Sequence, residues 1–132
     1  MKVERILETV VYAEDLKAAE VFYTEVLGLQ LHSRVEKRHL FFRCGSGMFL
    51  LFNPLVTEKE KFPHGSHGIG HVCWAVKREE LESWRQWFKQ WDVPLIEEMS
   101  WPQRGNSLYF HDPAGNNLEL AAAGPVWGIQ DS

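Results

Sequence analysis

The chain has 132 residues, of which 45% are hydrophobic and 24% charged, so it suits one compact globular domain with a real core. Its net charge of −4 leaves no basic field for nucleic acid or an anionic membrane, and no apolar run of about 18 residues predicts a transmembrane helix. Two cysteines without a CxxC spacing and a start lacking a signal-peptide core indicate a cytoplasmic protein with reduced thiols.

The first half of the chain is predicted to form a strand, a helix and three further strands. Alternating β-branched residues predict a strand over residues 6–13. Asp15 is a suitable N-cap for a helix that runs to about Leu27 and ends at Gly28. The apolar face of this helix carries Leu16, Ala19, Tyr23 and Val26. Short strands are expected near residues 29–33, 39–43 and 48–52.

The second half repeats this order. The stretch GIGHVCWAV predicts a strand, and residues 77–92 predict a helix. The helix carries apolar residues at the same spacing as the first one: Leu81, Trp84, Phe88 and Trp91. Three more strands are expected near residues 94–98, 106–111 and 117–121.

The repeat predicts an α+β fold built from two βαβββ units within a single domain over residues 1–132. Its parts are a first unit, a polar linker, a second unit and a tail, with the bounds 1–53, 54–67, 68–124 and 125–132. Because a lone unit would leave one face of its sheet bare, the two units are expected to form a curved mixed sheet.

Strand alternation predicts which side chains share the open face of each sheet, opposite the helix. In the second unit this face carries His71 and Cys73, Glu119, and the three residues Ser107, Tyr109 and His111. The repeat maps Glu8 onto His71, and an alignment of Gly47 with Gly115 maps Leu51 onto Glu119. These four residues form a pseudo-twofold set. Three of them, Glu8, His71 and Glu119, have side chains that can bind a metal, and the fourth, Leu51, is apolar.

Three stretches and the paired units together resemble a known superfamily. The stretches are LETVVYAEDLKAAEVFYTEVLGL, GHVCWAV and SLYFHDPAGNNLEL. They are similar to the vicinal oxygen chelate superfamily of glyoxalase I, extradiol dioxygenases, fosfomycin-resistance transferases and bleomycin-resistance binding proteins. The resemblance covers nearly the whole chain. It implies that Glu8, His71 and Glu119 hold a metal, and that Tyr109 donates a hydrogen bond near it, with Tyr109 and Glu119 in catalytic roles.

One imidazole and two carboxylates suit a divalent ion such as Mn, Fe, Ni, Co or Zn. Three protein ligands would leave positions where a small-molecule substrate can chelate through two neighbouring oxygens. Without the family context, a polar residue at a strand end is more often solvated, and Glu8 could simply be exposed.

Other polar residues are weaker candidates. Ser107, His111 and Arg104 are candidates for substrate contact, and surface exposure is an equal alternative for His111. His64 and His67 lie in a Gly-rich loop where nothing is expected to fix their geometry, so they are predicted to be solvated rather than ligands.

No named reaction of the superfamily fits the sequence cleanly. Leu51 removes the fourth ligand of glyoxalase I, and Tyr12 stands where the bacterial enzyme has an arginine for the glutathione carboxylate. The tail lacks the arginine expected to grip a phosphonate, and residues 100–102 lack the histidine of extradiol dioxygenases.

Two functions therefore remain open. One is a metal-dependent enzyme performing isomerisation, ring cleavage or thiol addition, and the other is a metal-free drug-binding protein of the bleomycin-resistance type. Retention of Glu8, His71 and Glu119 on one face favours the enzyme. Relatives with two units usually pair them across a twofold axis, which predicts a homodimer whose sites take Glu8 from one chain and His71 with Glu119 from the other.

Overall fold

The structure is a computed structural model that describes residues 1–101, 105–122 and 127. It divides into two compact units, Met1–Gly68 and Ile69–Ser132. Arg104, a predicted substrate contact, lies outside the described residues, as does the tail apart from Trp127. Among the described helices, none has the length and apolar character needed to cross a membrane.

The first unit holds a four-stranded mixed sheet in the order β1-β4-β3-β2, with β1 parallel to β4. Its strands are β1 (Glu8–Tyr12), β2 (Gln30–Val35), β3 (His39–Cys44) and β4 (Gly47–Phe52). Its helices are α1 (Leu16–Val21), which continues as a π-helical turn (Phe22–Val26), and the short α2 (Pro54–Thr57).

The second unit repeats this topology in the order β5-β8-β7-β6, with β5 parallel to β8. Its strands are β5 (His71–Val76), β6 (Glu97–Trp101), β7 (Gly105–His111) and β8 (Asn117–Ala122). A 3-10 turn (Arg78–Glu80) leads into α3 (Leu81–Gln90). The predicted repeat of two βαβββ units is confirmed, as two four-stranded mixed sheets.

The first helix begins and ends as predicted. The Asp15 carboxylate accepts a hydrogen bond from the Ala18 amide at 3.0 Å, and Gly28 takes a φ of 71°, which an L side chain rarely adopts. The π-helical turn adds a residue to the helix, so the neighbouring aromatics Phe22 and Tyr23 both face the core.

The core of the first unit lies between this helix and the sheet. Tyr23 is fully buried, and its ring lies 5.8 Å from that of Phe42 and 5.0 Å from that of Phe49. In the second unit Phe88 of α3 has the same role, with its ring 4.6 Å from Phe110 of β7. Each helix therefore covers one face of its own sheet.

Two predictions for the second unit were wrong. Trp91 was assigned to the apolar face of α3 but is 39% exposed, because the helix ends at Gln90 and Trp91 is its C-cap. Strand β6 was expected over residues 94–98 but spans Glu97–Trp101. Pro94 has no amide proton for the ladder, and pairing starts only when the Ile96 amide donates to the Tyr109 carbonyl at 2.8 Å.

The mapping of Leu51 onto Glu119 was also wrong, by one residue. Val10 pairs with Leu50 in the first sheet, as Cys73 pairs with Glu119 in the second, so Leu50 is the counterpart of Glu119. Leu51 instead faces the helix, fully buried. The turn between β3 and β4 is one residue shorter than the turn between β7 and β8, and an alignment of turn glycines therefore shifts the strands. The fourth position stays apolar.

The segment predicted to be a linker belongs to the first unit. Thr57 is fully buried, and its hydroxyl donates to the His64 carbonyl at 2.6 Å while the His64 amide donates to the Thr57 carbonyl at 3.2 Å. His67 Nε2 lies 2.8 Å from a Glu58 carboxylate oxygen. The expectation that nothing fixes the geometry of His64 and His67 was therefore wrong, because α2 provides partners that the loop composition did not reveal.

His39 gives the first unit a pH-dependent stability. Its ring is buried and stacked on Phe41 at 3.9 Å, and burial together with the Arg38 charge lowers its pKa, with Glu60 opposing in part. The unfolded chain then binds a proton more readily than the folded one below about pH 6.5, so this contribution is lost as the pH falls through that range.

We expect the free energy of unfolding to decrease less between pH 7.5 and pH 5.5 in His39→Gln than in the wild type, since the glutamine cannot be protonated. Urea unfolding at both pH values measures the difference. His32→Gln, at an exposed position of β2, is the matched control and should keep the wild-type pH dependence. An unchanged pH dependence in His39→Gln would contradict this role.

Candidate metal centre

The open face of the second sheet is centred on Glu119. Its strand, β8, lies between β5 and β7, and Glu119 pairs in register with Cys73 on one side and Tyr109 on the other. The side chains that alternate with this row are buried beneath the helix: Leu108, Phe110, Leu118 and Leu120. The predicted division of faces in β7 and β8 is confirmed by this burial.

His71 and Glu119 lie together on this face. His71 Nε2 lies 3.6 Å from Glu119 Oε2, and the two side chains are 51% and 13% exposed. His71 Nδ1 lies 2.8 Å from the Asn117 carbonyl oxygen, a group that can only accept a hydrogen bond. The Nδ1 proton is therefore donated to the backbone, so Nε2, on the side of the carboxylate, is the ring nitrogen that remains for a metal.

This arrangement fits a divalent metal ion. Two protein ligands each about 2.1 Å from one ion lie about 3.0 to 3.4 Å apart at octahedral or tetrahedral angles, close to the observed 3.6 Å. A backbone carbonyl that fixes the other ring nitrogen is the usual support of a histidine ligand. His71 and Glu119 thus place one nitrogen and one carboxylate oxygen at nearly the separation of two ligands of the same ion.

The Tyr109 hydroxyl and the Cys73 thiol belong to the residues that pair with Glu119 on either side, and both are weak acids. Burial and the negative charge of Glu119 raise the pKa of the Tyr109 hydroxyl. Desolvation and the same carboxylate raise the pKa of the Cys73 thiol to about 12, although the residue is exposed at the surface. Both groups keep their protons near neutral pH. Strand alternation placed Cys73 on this face, but only its register opposite Glu119 identifies it as part of the site.

The predicted substrate contacts differ in their surroundings. Ser107 shares the face of Tyr109 but is fully buried, and its hydroxyl accepts a hydrogen bond from Trp101 Nε1 at 3.1 Å. His111 is exposed at the end of β7, opposite Asn117.

Glu8 lies in the first unit, exposed at the start of β1 and opposite Met48 in register. Across residues 1–101, 105–122 and 127, no group of three His, Cys, Asp or Glu side chains is placed to hold a metal. The structure thus brings His71 and Glu119 together, and the participation of Glu8 stays a prediction.

The turn after β7 holds the site in register. One Asp112 carboxylate oxygen accepts from the Ala114 and Asn116 amides, both at 2.9 Å, and the other accepts from the Asn116 side chain at 2.8 Å. The Asn116 amide oxygen in turn accepts from the Gly70 backbone at 2.9 Å, next to His71. This turn therefore also fixes the start of the strand that carries the imidazole.

The chain belongs to the Glyoxalase/Bleomycin resistance protein/Dioxygenase superfamily, whose family model matches residues 5–120. It is similar to the crystal structure of lactoylglutathione lyase from Agrobacterium tumefaciens, with 35% identity, a TM-score of 0.92, and coverage of 98% of this chain and 100% of that one. Glutathione transferase FosA from Serratia marcescens is 29% identical over 80% of this chain and 72% of that protein. Metallothiol transferase FosB from Staphylococcus saprophyticus is 26% identical over 80% of this chain and 68% of that protein.

The partners of His64 and His67 predict that neither is a metal ligand. His64 Nδ1 is hydrogen-bonded to the Tyr12 hydroxyl at 2.9 Å, and His67 is paired with Glu58. Changing both histidines to alanine should leave the affinity for Zn²⁺ within about threefold of the wild type in calorimetric titrations. A loss of roughly 100-fold, the scale seen when a ligand or its support is removed, would contradict this assignment.

Proposed function

We propose that the chain is a metal-dependent enzyme in which Glu8, His71 and Glu119 hold a divalent ion that a small-molecule substrate chelates through two neighbouring oxygens. The observation that carries the proposal is the donation of the His71 Nδ1 proton to the Asn117 carbonyl, which leaves Nε2 beside the Glu119 carboxylate. Such an ion polarises bound oxygens and stabilises the negative charge that develops on them.

The chain's own residues have distinct roles in this proposal. His71 and Glu119 would bind the ion, with the imidazole oriented by its backbone hydrogen bond. Tyr109, protonated and next to Glu119 in register, would donate a hydrogen bond to a substrate oxygen. Glu119, partly shielded from water, could take up a proton from substrate when it is not fully engaged by the ion.

The relatives favour the chemistry of thiol adducts among the reactions that the superfamily offers. The curated relatives bear the names metallothiol transferase and glutathione transferase, and the solved structure is named a lactoylglutathione lyase. We therefore place thiol addition, and isomerisation or lysis of a thiol adduct, ahead of ring cleavage for this chain.

The wild-type protein, purified without chelator, should contain a divalent metal at a fixed stoichiometry. His71→Ala should abolish the binding, since the only imidazole of the set is lost, whereas His32→Ala removes an exposed histidine of β2 and should retain it. Elemental analysis and calorimetry with Mn, Ni, Zn, Fe and Co measure both outcomes. A wild type that binds none of these ions would leave the metal-free binding protein as the better assignment.

We also propose that the working unit is a homodimer in which Glu8 of one chain joins His71 and Glu119 of the other. Glu8 lies on the sheet of the first unit and the other two residues on the sheet of the second. Glu8 and His71 are both exposed on faces that their own helices do not cover. A twofold pairing of these faces would give two equivalent sites per dimer.

Complementation tests the shared site. Glu8→Ala and His71→Ala proteins are unfolded, mixed in equal amounts and refolded, and bound metal is measured. In a mixed dimer one site has both defects and the other regains all three ligands. Random pairing makes half of the dimers mixed, so about a quarter of the wild-type sites should return. If the refolded wild type regains metal and the mixture does not, each chain builds its own site.

A further inference from the structure

A groove of about 420 Å³ lies along one side of α3 and the turn that precedes it. The described residues that line it are Glu80, Ser83, Trp84 and Trp87. Side chains three, four and seven positions apart lie on the same side of a helix, so one helical surface carries all four. Because α3 packs on the face of the second sheet opposite Glu119, the groove is separate from the candidate metal centre.

Other aromatic side chains hold the two tryptophan rings of the groove in place. The Trp84 ring lies 5.6 Å from the ring of Phe88, which is buried in the core of the second unit. The Trp87 ring lies 5.9 Å from that of Trp91. Trp87 is nevertheless 38% exposed. The groove therefore offers aromatic surface that is already ordered by packing, so a ligand would lose little affinity to the ordering of these side chains.

The groove also holds a carboxylate, that of Glu80, whose charge is not balanced by a nearby cation. Arg85 pairs with Glu82 at 2.9 Å and with Glu98 of β6, so these two carboxylates are neutralised. Glu80 is exposed and forms no ion pair within the described part of the chain. Among the described lining residues there is also no lysine or arginine. One unpaired negative charge therefore lies beside two indole rings.

A carboxylate beside indole rings is suited to an organic cation. The face of an aromatic ring attracts a cation that lies within about 6 Å of its centre, and tryptophan does so most strongly. A methylated ammonium suits such a surface better than a primary one, which is more strongly hydrated and has less apolar surface to bury. The N-terminal end of the helix dipole opposes a cation, but its effect fades within the first turn, and Trp87 lies in the second turn of α3.

We propose that the groove along α3 is a second binding site, which takes a small molecule with a methylated ammonium group. The cationic group lies against the Trp84 and Trp87 rings, and the Glu80 carboxylate balances its charge. The Ser83 hydroxyl provides a hydrogen bond for a polar group elsewhere on the ligand. The volume of the groove lies near the lower end of the range of about 300 to 1,000 Å³ that is usual for small-molecule sites, which favours a ligand of few atoms.

Two probes of the same shape test the site. Choline carries the methylated ammonium, and 3,3-dimethyl-1-butanol has an uncharged carbon in place of its nitrogen. Each is titrated into the full-length protein at physiological ionic strength, and the NMR signals of the indole N–H groups report the affinity and the place of binding. We expect choline to shift the Trp84 and Trp87 signals to saturation and to bind about fivefold or more tightly than the alcohol.

Variants identify the groups that bind the cation. Glu80→Gln keeps the shape of the side chain and removes its charge, and Trp87→Leu keeps an apolar side chain and removes the ring. Each should weaken choline binding about 2- to 5-fold, with a smaller effect on the alcohol and none on Zn²⁺ affinity. Glu79→Gln is the matched control, because Glu79 is an exposed neighbour of Glu80 that does not line the groove, and it should bind choline like the wild type.

Three results would overturn the site: no saturable shift with choline, binding of the alcohol as tight as that of choline, or unchanged choline affinity in both Glu80→Gln and Trp87→Leu. Light scattering adds a fourth. If the wild type does not bind choline and Trp87→Leu has a smaller oligomeric mass than the wild type, copies of the chain cover the groove and it is an interface instead. The metal content of the wild type tests the proposed function and does not affect these outcomes.

Discussion

The hydrogen bond from His71 Nδ1 to the Asn117 carbonyl is the contact on which the second unit's site depends. It joins a side chain of β5 to the backbone of β8, the neighbouring parallel strand, so the ring orientation is set by the register of the two strands. The same register brings Glu119 within 3.6 Å of Nε2. Any change that slips β8 against β5 would therefore move the carboxylate and remove the acceptor of the imidazole together.

The two units use one scaffold for different surfaces. Both sheets have the same strand order and a helix on one face. At the position where the second sheet has Glu119, the first has Leu50. One sheet therefore carries an imidazole and a carboxylate on its open face, and the other carries an aliphatic side chain at the position equivalent to the carboxylate. A repeat of the backbone therefore does not require a repeat of the side-chain chemistry.

Much of this arrangement could be predicted because it follows from local periodicity. Alternation placed Tyr109 and Glu119 on one face of their sheet, and capping chemistry located Asp15 and Gly28 at the ends of the first helix. The errors arose at positions where tertiary contacts or turn lengths, rather than local periodicity, determine the structure. The sequence around His64 is rich in glycine and proline, and nothing in it shows that Thr57 would be buried and would hold the loop in place. Trp91 matched the helical spacing, but spacing does not reveal where the helix ends.

The turns of the two hairpins differ in a way that has consequences for length variation in this fold. Gly45 and Ser46 lie between the paired residues Cys44 and Gly47, whereas residues 113–115 lie between Asp112 and Asn116, whose backbones are also hydrogen-bonded. The extra residue lies entirely within the turn, where the Asp112 carboxylate accepts hydrogen bonds from the backbone amides of Ala114 and Asn116. Exchange of these turns between hairpins would conserve the parity of every strand residue, whereas one inserted residue within β4 or β8 would invert it. The turns can thus differ in length without changing which side chains face the helix.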